Sequence, residues 1–237
     1  MVAGIMRMIY LFGLAGPTTD PSPGVLGALT NGDEVIVPDI PGFDGRGGFK
    51  PPADYLGWLS LVWDALDATG ALPCPVIGAS LGGMLAADLA VLRPEAVTKL
   101  VLMGPLGMWD DEHPGADPFG VPMAERLPLL FSGGVPDAFT TTFAAFEGME
   151  QQIARYLVTI AAASMVWPIP DHGLSHRIHR LHTPSLLLWG EEDRVAPSAM
   201  APRWPAQRTV VVPGAGHLLE WDAPEAVSAE IRKFVND

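Results

Sequence analysis

The stretch Val76-Ile77-Gly78-Ala79-Ser80-Leu81-Gly82-Gly83-Met84 decides how the rest of the chain is read. Its left half, Pro75 to Ser80, is an apolar run that reads as a strand. Its right half continues as Leu81-Gly82-Gly83-Met84-Leu85-Ala86-Ala87-Asp88-Leu89-Ala90-Val91-Leu92, a helix apolar on nearly every side and therefore buried. Gly78-x-Ser80-x-Gly82 fits G-x-S-x-G at the junction between the two. In a strand–turn–helix setting this spacing forces the serine into a strained backbone conformation and presents its hydroxyl above the end of the sheet. Gly78 and Gly82 are small because strand and helix nearly touch there.

Outward from this point, short β-rich runs alternate with helical patterns. Arg7–Phe12, Glu34–Asp39, Val97–Pro105, Pro184–Gly190 and Gln207–Gly214 read as further strands. Tyr55–Gly70 is an amphipathic helix with Leu59, Val62, Trp63 and Leu66 on one face. The last helix starts at Ala223-Pro224 and turns Val227, Ile231, Phe234 and Val235 inward. Strands separated by helices imply a parallel sheet covered on both faces, and near-continuous apolar strands agree. The alternation breaks between Met108 and Leu181, where one good helix, Met149–Met165, stands among Pro, Gly, Phe and Trp. This segment reads as an insertion between two strands. The expected division is a core of residues 1–107 and 182–237 with an insertion of residues 108–181.

A serine hydroxyl needs a base to take its proton. His217, in Val212-Pro213-Gly214-Ala215-Gly216-His217, follows the last strand through a glycine-rich loop that can return an imidazole over the sheet. The base needs an acid to orient it. Asp193, just beyond the strand Pro184–Gly190, is the choice, with Asp110 and Asp111 the runners-up. The order Ser, Asp, His is the one expected for this kind of sheet. His172, His176, His179 and His182 alternate with Arg177 and Arg180 and read as a solvated helix with no metal.

Composition excludes several classes. The 237 residues carry 14 basic and 27 acidic side chains, a net charge of −13, which disfavours nucleic acid and anionic membrane surfaces. The lone Cys74 excludes an internal disulfide and a multi-cysteine metal site, and it reads as buried filler in a reducing, cytoplasmic compartment. No apolar run is long enough to span a bilayer. The apolar N-terminal run Met1–Gly16 resembles a secretion signal. Arg7 lies inside it, where a signal's apolar core is clean, and the stretch reads as a strand through Phe12 followed by a working loop from Gly13.

Gly78–Gly83, Trp189–Pro197 and Gly214–His217, together with Asp39–Arg46, resemble the signature segments of the α/β-hydrolase superfamily. The resemblance covers nearly the whole chain and implies a three-layer fold with a mostly parallel sheet of about six strands and a helical cap. It also implies a triad of Ser80, Asp193 and His217, and an oxyanion hole made by backbone N–H groups. By motif position these are Leu14 and Leu81, with Ala15 the next candidate after Leu14. The chain departs from the family's pattern twice. The usual N-terminal hairpin is absent from the reading, which leaves Glu34–Pro38 as an edge through which a second copy could pair. Phe12-Gly13 also stands where the family commonly has His-Gly.

The implied chemistry is acyl transfer through an acyl-enzyme, with water and no cofactor or metal. Phe12, Trp109, Phe143 and Trp167 are the expected substrate contacts, and the substrate is a small, largely apolar carboxylic ester. Two alternatives stay open. One is carbon–carbon bond hydrolysis of ring-fission products, suggested by Ser164–Gly173 and weakened by Ala79, where such enzymes often have Asn. The other is a ligand-binding protein of the same fold with little turnover.

Overall fold

The computed structural model describes residues 5–14, 22–30, 32–140, 143–167 and 171–237. Six strands form one parallel sheet: β1 (Arg7–Leu11), β2 (Glu34–Ile36), β3 (Cys74–Ala79), β4 (Val97–Met103), β5 (Ser185–Gly190) and β6 (Arg208–Val212). Their order is β2-β1-β3-β4-β5-β6, and every neighbouring pair is parallel. The middle strands are apolar along their length because both faces are covered. Ile9, Tyr10, Leu11, Val76, Ile77, Val101, Leu102, Leu187 and Leu188 are all fully buried.

Eight helices surround the sheet among the described residues: α1 (Pro23–Leu29), α2 (Tyr55–Ala68), α3 (Leu81–Leu92), α4 (Met123–Leu130), α5 (Asp137–Thr140), α6 (Gly148–Val166), α7 (Leu219–Asp222) and α8 (Pro224–Asn236). α1 packs on α8, and α2 packs on α3, which in turn lies on β1, β3 and β4. Asp54 starts α2 by accepting from the Gly57 N–H at 2.8 Å. Every residue of α3 from Leu81 to Val91 is buried, as its all-round apolarity requires.

Three features differ from the sequence reading. α1 was not foreseen: its segment, Pro23-Gly24-Val25-Leu26-Gly27-Ala28-Leu29, carries two glycines that mask a helical pattern, although Val25 and Leu29 keep the buried spacing. The edge strand β2 shrinks to three residues, and its Glu34 pairs with Arg7 of β1 at 2.8 Å. The histidine-rich segment before β5 forms only a single 3₁₀ turn, Ile178–Arg180. His172 is half-buried there and stacks on Tyr55 with ring centroids 5.1 Å apart.

Between β4 and β5 lie α4, α5 and α6, the last at the place foreseen for it. This insertion is fastened to the core by a partly buried ion pair. Asp88 of α3 is fully buried, accepts from two nitrogens of Arg177, one of them at 2.7 Å, and also accepts from the Tyr55 hydroxyl at 2.6 Å.

Candidate active site

Ser80 sits between β3 and α3 with φ 51° and ψ −116°, the only described non-glycine residue with positive φ. The close approach that creates this turn depends on missing side chains. A Cβ on Gly78 would lie 2.4 Å from the Gly82 carbonyl oxygen, and one on Gly82 would lie 2.4 Å from that of Leu11. The turn is pinned from both neighbours: the Ser80 N–H donates to the Met103 carbonyl at 2.8 Å, and the Gly82 N–H to the Phe12 carbonyl at 3.2 Å.

The loop after β6 brings His217 to the serine. Ser80 Oγ and His217 Nε2 are 2.6 Å apart, and His217 Nδ1 lies 3.0 and 2.9 Å from Asp193 Oδ1 and Oδ2. Asp193 Oδ1 also accepts from the Val195 and Ala196 N–H groups, each at 2.9 Å. Those two bonds fix the carboxylate, the carboxylate fixes the ring with Nδ1 carrying the proton, and Nε2 is left as the acceptor facing the serine. Gly104 has φ 47°, and a Cβ there would meet the His217 carbonyl at 3.1 Å and Asp193 Oδ2 at 3.2 Å, so the chain is bare where it passes this pair.

The runner-up acids are engaged elsewhere. Asp110 pairs with Arg203 at 2.7 Å and lies 3.0 Å from His113 Nδ1, and these contacts hold its carboxyl below the usual range. Asp111 accepts from the Trp109 indole. Burial raises the Cys74 thiol pKa to about 11, as suits a filler rather than a nucleophile.

Two acids near His217 were not foreseen. Asp222 Oδ2 accepts from the Gly216 N–H at 2.7 Å and the Ser132 N–H at 3.0 Å, and the Leu218 N–H donates to the Leu130 carbonyl at 3.0 Å. The histidine loop is thus tied to the end of α4. The second acid, Glu220, is almost fully buried, and its Oε2 has no partner among the described residues. Burial is the main cause that raises its pKa to about 7. Asp222 and Asp193 add to the rise, and His217 opposes it. Only the spacing His-x-x-Glu and His-x-x-x-x-Asp in an otherwise apolar turn could have hinted at either residue.

The expected oxyanion donors are the N–H groups of Leu81 and Leu14. Leu81 opens α3, so its N–H has no carbonyl one turn back to bond. Leu14 is buried and follows Gly13, whose bare Cα faces Ser80: a Cβ there would lie 3.3 Å from Ser80 Cβ. Ala15 lies outside the described residues, as do Pro168–Pro170 of the segment likened to carbon–carbon hydrolases.

A cavity of about 70 Å³ runs from Leu14 into the insertion, with Leu127, Leu130, Phe139, Phe143 and Val158 among its walls. Ser80 and His217 are fully buried and are not among the described residues that line it. Of the four expected contacts only Phe143 lines the cavity. Phe12 packs edge-on to Phe43 in the core, with centroids 5.0 Å apart. The Trp109 and Trp167 indoles turn away from the cavity to Asp111 and Asp117, because an indole N–H near the surface takes a polar partner.

Residues 15–230 match the model of the alpha/beta hydrolase family. The chain belongs to this family. RutD of Pseudomonas savastanoi pv. phaseolicola, a protein named for carbamate hydrolysis, is 30% identical over 234 residues, covering 89% of this chain and 86% of RutD. A pimeloyl-[acyl-carrier protein] methyl ester esterase of Aeromonas hydrophila is 28% identical over 90% of this chain and 89% of its own. Among solved structures, the 2-hydroxy-6-oxo-6-phenylhexa-2,4-dienoate hydrolase of Rhodococcus superposes with a TM-score of 0.75 over 98% of this chain and 91% of that one, at 19% identity. The chain is a hydrolase of this fold. No described helix is long and apolar enough to cross a membrane.

Proposed function

We propose that the chain is a serine hydrolase that cleaves a small, largely apolar carboxylic ester through an acyl-enzyme. The observation that carries this reading is the line Ser80–His217–Asp193, closed at hydrogen-bond distance with the serine on a strained turn. Ser80 Oγ attacks the ester carbon while its proton passes to His217 Nε2. The N–H groups of Leu14 and Leu81 hold the oxyanion, each contributing roughly 3 kcal/mol. The carbon–oxygen bond to the alcohol then breaks, and the alcohol leaves with the proton from His217. Water gives a proton to His217 and its oxygen to the acyl carbon, the bond to Oγ breaks, and Ser80 recovers its proton. The balance is ester plus water to acid plus alcohol. Asp193 stays ionised and stabilises the imidazolium formed twice in the cycle.

In this reading residues 108–181 act as a cap that shapes substrate choice. The small cavity favours a short acyl group over a long chain. An esterase among the relatives supports the reaction class. Carbon–carbon hydrolysis is the second reading, supported by a 26% identical Burkholderia cepacia protein named a 2-hydroxy-6-oxo-6-phenylhexa-2,4-dienoate hydrolase. Ala79 after the first motif glycine weighs against it. The completeness of the trio weighs against a mere ligand-binding role.

The test is labelling with a serine-directed fluorophosphonate, followed by a p-nitrophenyl ester panel of graded acyl length. Wild type labels, and Ser80→Ala neither labels nor retains kcat, with a loss on the order of a million-fold. A folded wild type that resists the label refutes the reading. Turnover of a ring-fission dienoate with no ester cleavage moves it to the second.

A further inference from the structure

Nine large apolar side chains are exposed among the described residues, and five of them lie on α6 or at its C-terminal cap: Met149, Ile153, Tyr156, Ile160 and Trp167. Each is between 39% and 69% exposed. The other four, Ile5, Leu56, Leu92 and Val211, lie on other parts of the chain. The steps from Met149 to Ile160 are four, three and four residues, so at 3.6 residues per turn the four side chains fall within an arc of about 60°. Trp167 follows Met149 by about five turns and continues the line. On the opposite face Ala154, Val158, Ala161, Ala162 and Met165 are buried against the rest of the chain. α6 is therefore apolar on two faces, and one of them is uncovered. Single exposed apolar side chains are ordinary, but a continuous line of them marks a contact surface.

The shape of the line points to another helix. A seam one side chain wide, with alternating steps of four and three, is the pattern of helix-to-helix packing. A helix that rests on a lipid surface has a broad apolar face and a polar face rich in Lys and Arg. α6 carries one basic side chain, Arg155, and its guanidinium lies over the Phe143 ring. Charge narrows the choice further. With 27 acidic residues and a net charge of −13, two copies of this chain repel each other over most of their surface. Residues 151–166 hold no acidic side chain. The seam is a place where two copies can meet without opposing carboxylates.

We infer that this face pairs with the same face of a second copy, α6 against α6, antiparallel about a two-fold axis. The step pattern four, three, four reads the same from either end. Reversal therefore sets Met149 against the partner's Ile160 and Ile153 against the partner's Tyr156, and the symmetry repeats both contacts. A parallel pair would also align the seam, but it would bring Glu147 and Glu150, both exposed at the N-terminal end of α6, beside their own copies. Antiparallel packing sends the acids of the two copies to opposite ends and lets the two helix dipoles attract.

The test is sedimentation velocity over a range of protein concentrations. Wild type moves from the mass of one chain to twice that mass as concentration rises into the high micromolar range, and association strengthens as salt screens the net charge. Ile153→Glu and, separately, Tyr156→Lys each weaken it at least ten-fold and keep the wild-type melting temperature, because both side chains are exposed. Val211→Lys, on the edge strand β6, leaves it unchanged. Met149→Cys mixed with Ile160→Cys gives a covalent dimer with a short bismaleimide, and neither variant does so alone, the native Cys74 being buried. A wild type that stays monomeric overturns the inference. So does a dimer that both α6 variants leave intact, or cross-linking of Met149→Cys with itself, which would mean a parallel pair. Flotation of a monomeric wild type with neutral phosphatidylcholine vesicles, lost in Ile153→Glu, overturns it in favour of a lipid surface.

Discussion

The sheet end that carries Ser80, Asp193 and His217 and the insertion between β4 and β5 are held together by different means. At the sheet end the backbone does the holding. Bare glycines let strands and loops approach each other, and the carboxylate of Asp193 is fixed by two main-chain N–H groups. In the insertion, side chains do it: Arg177 reaches back to Asp88, Asp222 reaches forward to Ser132, and arginines lie over phenylalanine rings. A site fixed through backbone tolerates little change, whereas one fixed through side chains can be retuned by single substitutions.

The largest effect that separates the two is expected at Asp193. Asp193→Asn keeps an oxygen for the Val195 and Ala196 N–H groups but turns an NH₂ toward His217 Nδ1, which forces the wrong tautomer. kcat falls about 10,000-fold with the melting temperature nearly unchanged. A loss of fold in place of rate would show that the carboxylate serves structure first.

Arg177→Met strikes the insertion's anchor. It leaves Asp88 buried with the Tyr55 hydroxyl as a neutral donor and costs about 3–5 kcal/mol in urea unfolding. The double variant with Asp88→Asn recovers most of that loss. If it does not, the pair is not what fastens the insertion.

Glu220→Gln runs the other way. Below the ordinary carboxyl pKa of 4.5, Glu220 is protonated both folded and unfolded and costs nothing. As pH rises from there toward about 7, the unfolded chain loses the proton and the folded one keeps it, so stability falls by roughly 3 kcal/mol and then levels off. Glutamine removes that fall. A urea midpoint measured from pH 4.5 to 8 shows the variant gaining on wild type as pH rises, and parallel curves would refute this account.

Asp222→Ala is the smallest change. It frees the Gly216 and Ser132 N–H groups and costs about 1–2 kcal/mol. Because it loosens the histidine loop from the end of α4, KM shifts along with kcat. A pure stability loss with unaltered kinetics would mean the tie carries no information to the site.

Legibility in the sequence follows the same division. The strand–serine–helix turn and the glycine loop before His217 are local patterns, in which a few adjacent residues dictate a backbone shape. Ser80, Asp193 and His217 could therefore be named in advance, and the structure brings them together. The Asp88–Arg177 pair joins residues 89 apart and leaves no local trace. Trp109 and Trp167 were expected in the cavity for their apolar area, but each indole N–H required a partner outside it. α1 was hidden because glycine weakens a helical pattern that tertiary packing against α8 restores.

The bond from the Gly82 N–H to the Phe12 carbonyl separates two properties of one position. The course of the chain at residue 12 is set by its main-chain oxygen and by the bare Gly13 beside it, whereas its side chain only fills space against Phe43. Side-chain identity there is free to drift without moving the loop. A phenylalanine in place of histidine is then a change of upholstery over an unaltered frame, and position 12 becomes a place to vary the packing behind the site while its working atoms stay put.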